Sequence, residues 1–469
     1  MSTGTHYSDR MTAADAVLWR IESDPALRST IVSAWVLDGA PDPERFLRKL
    51  ERCIADVPRL RQRPVEDPLG LAPPRWEVDP YFDIDFHLRR LGAPGDGSLR
   101  AFLDLAEPIG MQAFDRERPL WELYLVDGLV GGRTGVILKL HHAISDGVGL
   151  VRMTEGLIER SANEDSTRRP AANPPATPPP VSVDGLSRTT AAAAHRVSTG
   201  LARAGRIARA FGRVLPRLVG EPATLAREVG AQIASIGRLV APVTRPMSPA
   251  MTGRSLSVRY DHIEIPLADL KRAARSVDAT LNDAFVAGVT GGLRRYHADR
   301  GLPVDALRMN MPINLRSGDR ARDAGNQFAP VRFEVPISIE DPAARMRAIH
   351  TTVLAQRDEP ALGLLEEISS AIGSLPGSGP ALFSGGMMKA VDFTTSNVPG
   401  PRFPVYVSGA RIERMFGFGP LAGAALNVTC FSYDGRLGIG INCDPAAVED
   451  PALFVESLRK GFDEVLSVG

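Results

Sequence analysis

The sequence has little cysteine: Cys53, Cys430 and Cys443 are the three in 469 residues. None lies in a CxxC pair, and no His/Cys cluster has the spacing of a zinc site. That argues against a disulfide framework or structural zinc and fits a reducing compartment. Net charge is also missing, with 55 Lys plus Arg against 55 Asp plus Glu, so no global field points to nucleic acid. No uncharged apolar run reaches the ~18 residues of a membrane span. The N-terminal "MSTGTHYSDRMTAAD" has no apolar signal core. The expectation is a cytoplasmic protein, soluble or peripheral.

What is present is ordinary for a globular chain: 44% hydrophobic and 23% charged residues. The length suggests two or three domains and allows a large core. The first part reads as mixed α and β. "TIVSAWVLDG" (30–39) is a β-branched and aromatic run that stops at Asp-Gly. Asp42 and Pro43 then form an N-cap and first helical residue, followed by Phe46, Leu47, Leu50 and Ile54 at helical spacing. "LWELYLVDGLVGGRTGVILKLHH" reads as two strands around a glycine-rich turn. Beyond Asp146, the residues Val148, Val151, Thr154, Leu157 and Ile158 predict a helix. "RRPAANPPATPPP" (168–180) is a linker of extended polyproline character. Residues 186–250 are rich in Ala, Gly and Arg and contain no lysine. Thr280 and Asp283 predict a capping box for a helix through about 299. "NVTCFSYDGRLGIGIN" predicts a hairpin turning at Asp434-Gly435, with Cys430 facing Ile439 rather than Cys443, and a last helix follows near 450–466.

The chemistry concentrates in "LKLHHAISDGVGL" (138–150). Successive side chains of an extended segment point to opposite faces, so His141 and His142 do not share one site. That argues against a metal held by both. It suits one buried, positioning histidine and one facing a channel, where a neutral imidazole can take a proton from an alcohol or thiol. Asp146 can cap the following helix or pair with an arginine, and Gly147 permits a tight turn.

"HHAISDG" is the HHxxxDG motif of the chloramphenicol-acetyltransferase-like superfamily. The flanking stretches "MTAADAVLWRIE", "FDIDFHLRRL", "RPLWELYLVDGL", "TLNDAFVAGVTGGLRRY", "MPINLR", "GNQFAP" and "TSNVPGP" resemble, in that order, the bacterial wax ester synthase/diacylglycerol acyltransferase family. The resemblance covers most of 11–160 and 255–445. It implies an α/β fold of two chloramphenicol-acetyltransferase-like halves, mixed sheets with helices, and an active-site tunnel between them. The division expected is an N-terminal half at 1–160, a linker at 161–185, a helical connector at 186–254 and a C-terminal half at 255–469.

The implied reaction passes a long-chain acyl group from acyl-CoA to diacylglycerol or a long-chain alcohol. His142 is the general base, His141 its positioning partner, Asp146 structural and Gly147 the motif's turn. No metal, cofactor or covalent acyl-enzyme is implied, acyl-CoA being a co-substrate. Arg316 is the candidate partner of Asp146. Asn282, Asp283 and Asn397 are candidates for shaping the site, against helix capping for the Asn282-Asp283 pair and a turn for "SNVPGP". Pro119 and Trp121 are candidates too, with packing the weightier reading. "MFGFGP" (415–420) lacks the Asp and Trp of the plant-type DFGWG motif, which lowers that branch.

A second motif lies in "LARAGRIARAFGRVLPRLVG" (201–220). On a helical wheel Arg203, Arg206, Arg209, Arg213 and Arg217 fall within about a third of the circle, opposite Ile207, Phe211, Val214, Leu215 and Leu218. Such a helix can lie on an anionic inner membrane or lipid inclusion, or pack on its own protein with a solvated basic face. The functional alternatives are an acyltransferase with another acceptor or a carrier-bound donor, and a catalytically idle protein associated with lipid inclusions.

Overall fold

The computed structural model describes residues 7–70, 72–145, 147–164, 187–201, 243–314, 328–357, 364–373 and 377–469, with a few single positions between. The proline-rich stretch, the arginine stripe beyond Leu201, Asp146 and Arg316 lie outside the described residues.

In chain order the first part runs α1 (Ala13–Ile21), β1 (Thr30–Leu37), α2 (Pro43–Asp56), β2 (Gln62–Val65), β3 (Arg75–Val78), α3 (Ile84–His87), β4 (Leu88–Gly92) and α4 (Leu99–Met111). It continues through β5 (Trp121–Leu129), β6 (Arg133–His141), α5 (Gly147–Thr154) and β7 (Ile158–Glu159). Helix α6 covers 187–201. The second part comprises β8 (Arg259–Pro266), α7 (Leu267–Arg275), α8 (Leu281–Asp299), β9 (Ala306–Asn314), β10 (Phe328–Pro336), α9 (Pro342–Arg357), α10 (Leu365–Gly373) and α11 (Gly379–Lys389). Last come β11 (Phe393–Pro399), β12 (Tyr406–Val407), β13 (Ala410–Phe418), β14 (Leu426–Tyr433), β15 (Arg436–Cys443) and α12 (Pro451–Leu466). Among the described residues no helix is long and apolar enough to cross a membrane.

Local chemistry accounts for several of these boundaries. Asp42 accepts the Arg45 N–H at 2.8 Å ahead of Pro43 and starts α2. Phe46, Leu50 and Ile54 are buried, whereas Leu47 sits off that stripe and is exposed. Thr280 and Asp283 form the reciprocal capping box of α8. Asp434 and Gly435 both have positive φ, the geometry of a tight hairpin turn, and Cys430 pairs in register with Ile439. One expectation fails: α5 ends at Thr154. Leu157 belongs to a turn, and Ile158 opens β7, which pairs with β12. The apolar spacing at 157 and 158 serves burial in a turn and strand, which a helical period also fits.

Two mixed sheets organise the molecule. One has the order β4-β5-β6-β1-β13-β12-β7 and the other β10-β9-β11-β14-β15-β8. Strands β12 and β13 come from late in the chain yet complete the first sheet, so residues 255–469 supply strands to both. The first sheet is covered on one face by α4, through Phe102, Leu103 and Ala106, and on the other by α2, through Phe46 and Leu50. The second sheet packs on α8 and α12 through Phe285, Leu293, Phe454 and Phe462.

The two sheets meet where β13 lies against β15. A Cβ on Gly438 would stand 2.2 Å from the Met415 carbonyl oxygen, and one on Gly440 would stand 2.0 Å from that of Gly417. Both obstacles are backbone, so a side chain there forces the strands apart. Gly440→Ala is therefore expected to lower unfolding free energy by about 1–3 kcal/mol or more. Gly39→Ala, where a Cβ meets nothing within 4 Å, is expected to change it little. Equilibrium denaturation of the two variants checks this.

Candidate active site

Strand β6 is buried along nearly its whole length and ends at His141. The last rung of its ladder with β1 pairs His141 with Thr30. The His141 N–H donates to the Leu120 carbonyl at 3.0 Å, and the Ile144 N–H closes a turn on the His141 carbonyl at 3.0 Å. His142 stands inside that turn, its own N–H donating to the Ser29 carbonyl at 2.8 Å. Gly147 opens α5 directly afterwards.

The two histidines differ in surroundings. His141 is 1% exposed, whereas His142 is half-buried. The Nδ1 of His141 accepts the Ala143 N–H at 3.0 Å. A nitrogen that accepts carries no proton, so the neutral ring is protonated at Nε2. That Nε2 lies 2.9 Å from Oε1 of Glu22, the residue capping the C-terminus of α1. The approach is oblique to the ring N–H, so the contact is charge–dipole in character as much as a hydrogen bond. Trp19 meets the His141 ring edge-on with centroids 5.8 Å apart, and Phe114 meets it at 6.1 Å.

Glu22 is itself well supported. The Ser29 N–H donates to Oε1 at 2.6 Å, and an Arg116 nitrogen lies 3.8 Å from Oε2. Arg116 also covers the Trp19 ring at 4.1 Å. Burial pushes the Glu22 carboxyl up, but the His141 ring, the Ser29 N–H and Arg116 outweigh it and hold the group below its ordinary value. Glu22 closes the stretch "MTAADAVLWRIE", and no motif spacing marks it as a site residue. The available signal is its position: a carboxylate at a helix C-terminus opposes the helix dipole and asks for a partner elsewhere.

On the same face of β6, two residues earlier, Lys139 is fully buried. Its Nζ lies 3.3 Å from Glu122 and 4.3 Å from the Phe114 ring centroid. Burial lowers its proton affinity, which Glu122 partly restores.

The remaining candidates scatter. Asp283 is buried and spent on capping: its Oδ2 accepts from the Thr280 N–H at 2.8 Å and lies 2.7 Å from His350 Nδ1. Asn282 donates to Met311 Sδ at 3.5 Å. Asn397 is exposed on β11, a strand that α5 touches. Pro119 and Trp121 are buried: the Trp121 Nε1–H donates to the Leu60 carbonyl at 2.8 Å, and its ring stacks on His87 with centroids 4.5 Å apart. A cleft enters between the halves beside Thr30, lined among others by Arg28, Met111, Val258, Gly423 and Asn442. The three thiols are poor nucleophiles, because burial pushes Cys53, Cys430 and Cys443 up to about 12.

The family model of the wax ester synthase/diacylglycerol acyltransferase catalytic domain matches residues 11–285, and that of the WS/DGAT C-terminal domain matches 324–465. The chain belongs to the wax ester synthase/diacylglycerol acyltransferase family. A Mycobacterium tuberculosis protein with a provisional diacylglycerol O-acyltransferase name is 37% identical over 466 residues, covering 98% of this chain and 92% of its own. A second with such a name, from the same organism, is 29% identical over 476 residues, covering 98% and 97%. The wax ester synthase/diacylglycerol acyltransferase from Marinobacter aquaeolei VT8 shares the fold at TM-score 0.62 and 19% identity, covering 97% of this chain and 98% of that one. The first condensation domain of the calcium-dependent antibiotic synthetase shares it at TM-score 0.61 and 17% identity, covering 98% and 96%. These matches bear out the α/β fold of mixed sheets and helices expected from the family resemblance and make this chain a member of an acyltransferase family.

The depressed Glu22 carboxyl has a consequence for stability. A group whose folded value lies below the unfolded one stabilises the fold above the ordinary glutamate value of 4.5, and loses that contribution as pH falls below it. Parent protein should exceed Glu22→Gln by about 1–1.5 kcal/mol near neutrality, the difference between hydrogen bonds to a charged and to a neutral acceptor. The gap should close on acidification through pH 4.5. Denaturation of both proteins from pH 7 to 3 checks it, and a constant gap contradicts it.

Proposed function

We propose that this acyltransferase passes a long-chain acyl group from acyl-CoA to a lipid hydroxyl, with diacylglycerol the leading acceptor and a long-chain alcohol the second. The observation that carries the reading is the unlike pair at the end of β6. His141 is buried, its Nδ1 accepting the Ala143 N–H and its Nε2 facing Glu22, while His142, next to it in a fixed turn, keeps partial exposure. The provisional names of the mycobacterial relatives favour diacylglycerol. The long apolar substrates would be held between the halves.

In this mechanism neutral His142 takes the proton of the acceptor hydroxyl as its oxygen attacks the thioester carbonyl carbon. The C–O bond forms and the carbonyl pair moves to oxygen, giving a tetrahedral oxyanion that needs hydrogen-bond donors. When the oxyanion collapses, the C–S bond breaks and the sulfur keeps the pair. The imidazolium of His142 then protonates the departing CoA thiolate, so the histidine ends neutral and the products are ester and CoA. No cofactor and no acyl-enzyme take part.

His142→Ala should fold and still bind acyl-CoA while turnover falls by about 10²–10⁴, the usual worth of a general base. Steady-state ester formation from labelled acyl-CoA, beside a melting curve, checks this. Parental turnover would sink the mechanism. Asp146 is proposed to pair with Arg316. Losing one partner alone should cost about 3–5 kcal/mol if the pair is buried, and the double variant should recover part of that. Strictly additive losses in the unfolding cycle would leave Asp146 as a plain helix cap.

A further inference from the structure

We infer that Glu22 is a positioning residue for His142, acting on it through His141 and Ser29. The inference rests on the reading of His142 as the base. The peptide groups on both sides of His142 are clamped. Its own N–H is held by the Ser29 carbonyl at 2.8 Å. The next N–H, that of Ala143, is held by His141 Nδ1 at 3.0 Å. Fixing both peptide planes fixes the backbone angles of His142, and with them the direction in which its side chain leaves the turn.

Glu22 reaches both clamps with one oxygen. Oε1 accepts the Ser29 N–H at 2.6 Å and faces His141 Nε2 at 2.9 Å. The first contact fixes the residue whose carbonyl holds His142. The second governs which ring nitrogen of His141 carries the proton. A carboxylate facing Nε2 favours the proton there and leaves Nδ1 as an acceptor. Without the carboxylate the other tautomer becomes available. It would set an Nδ1–H against the Ala143 N–H, two donors facing each other, and the turn would open. Arg116 and Trp19 complete the mount: Arg116 lies 3.8 Å from Oε2 of Glu22 and covers the Trp19 ring, whose edge meets His141. Glu22 precedes His141 by well over a hundred residues and lies outside the HHxxxDG motif.

The effect belongs in turnover, because a misplacement of about 1 Å in a catalytic group costs roughly 10²-fold. Full-length protein is assayed for ester formation with labelled acyl-CoA and a diacylglycerol. Glu22→Ala should lower kcat by about 10²-fold with KM little changed. Glu22→Gln keeps an oxygen that accepts the Ser29 N–H and can face His141 Nε2, and should recover most of that loss. In a His142→Ala background, Glu22→Ala should cost nothing further, because the group it positions is gone. Should Glu22→Ala fail to fold, Glu22→Asp keeps the charge but shortens the reach, and carries the same kcat and background tests. A loss of the same factor in the His142→Ala background, a change confined to KM, or a Gln variant no better than Ala would each overturn the inference. Undiminished turnover in His142→Ala alone would instead overturn the base itself.

Discussion

Strand β1 is held on both edges, and the site's geometry depends on that. One edge pairs with β6, ending in the Thr30–His141 rung; the other pairs with β13, where Val32 meets Phe418. β13 belongs to the later part of the chain and in turn rests on the glycines of β15. The first half therefore cannot complete its central sheet alone. A side-chain position in the last rung of β6 is set by a ladder drawn from both halves, and Thr30 of that rung lines the cleft.

Around that rung the chain buries charge, which is costly unless each charge is partnered. Glu22 is partnered by Ser29, His141 and Arg116, and Lys139 by Glu122 and the face of Phe114. Phe114 touches both His141 and Lys139, so the two buried polar groups share one aromatic wall. Groups held this way have few alternative arrangements. That restriction suits the role proposed for the turn, presenting the His142 imidazole in one direction.

Much of the local architecture was legible in the sequence. Asp42-Pro43, the Thr280–Asp283 box and Asp434-Gly435 each mark a boundary by chemistry within a few residues, and each boundary stands where expected. The unlike burial of His141 and His142 was legible too, from their adjacency at a strand end. Other features were not. The alternation in β13 would look the same whichever sheet the strand joined, so its transfer to the first sheet left no trace in its pattern. Thr154, Leu157 and Ile158 fit a helical period as well as a turn and strand, which is why α5 appeared longer than it is. The Glu22–His141 contact joins residues far apart in the chain, and nothing local to either one names the other.

The proposed reaction is direct acyl transfer from a thioester to a lipid hydroxyl at His142, with no covalent intermediate. The measurement that tests it most directly follows CoA thiol release and ester formation together, with purified protein at micromolar concentration, in the presence and absence of diacylglycerol. Direct transfer gives one thiol per ester when acceptor is present, and no burst of thiol when it is absent. A burst equal to the enzyme concentration without acceptor, or thiol release with no ester formed, would contradict it.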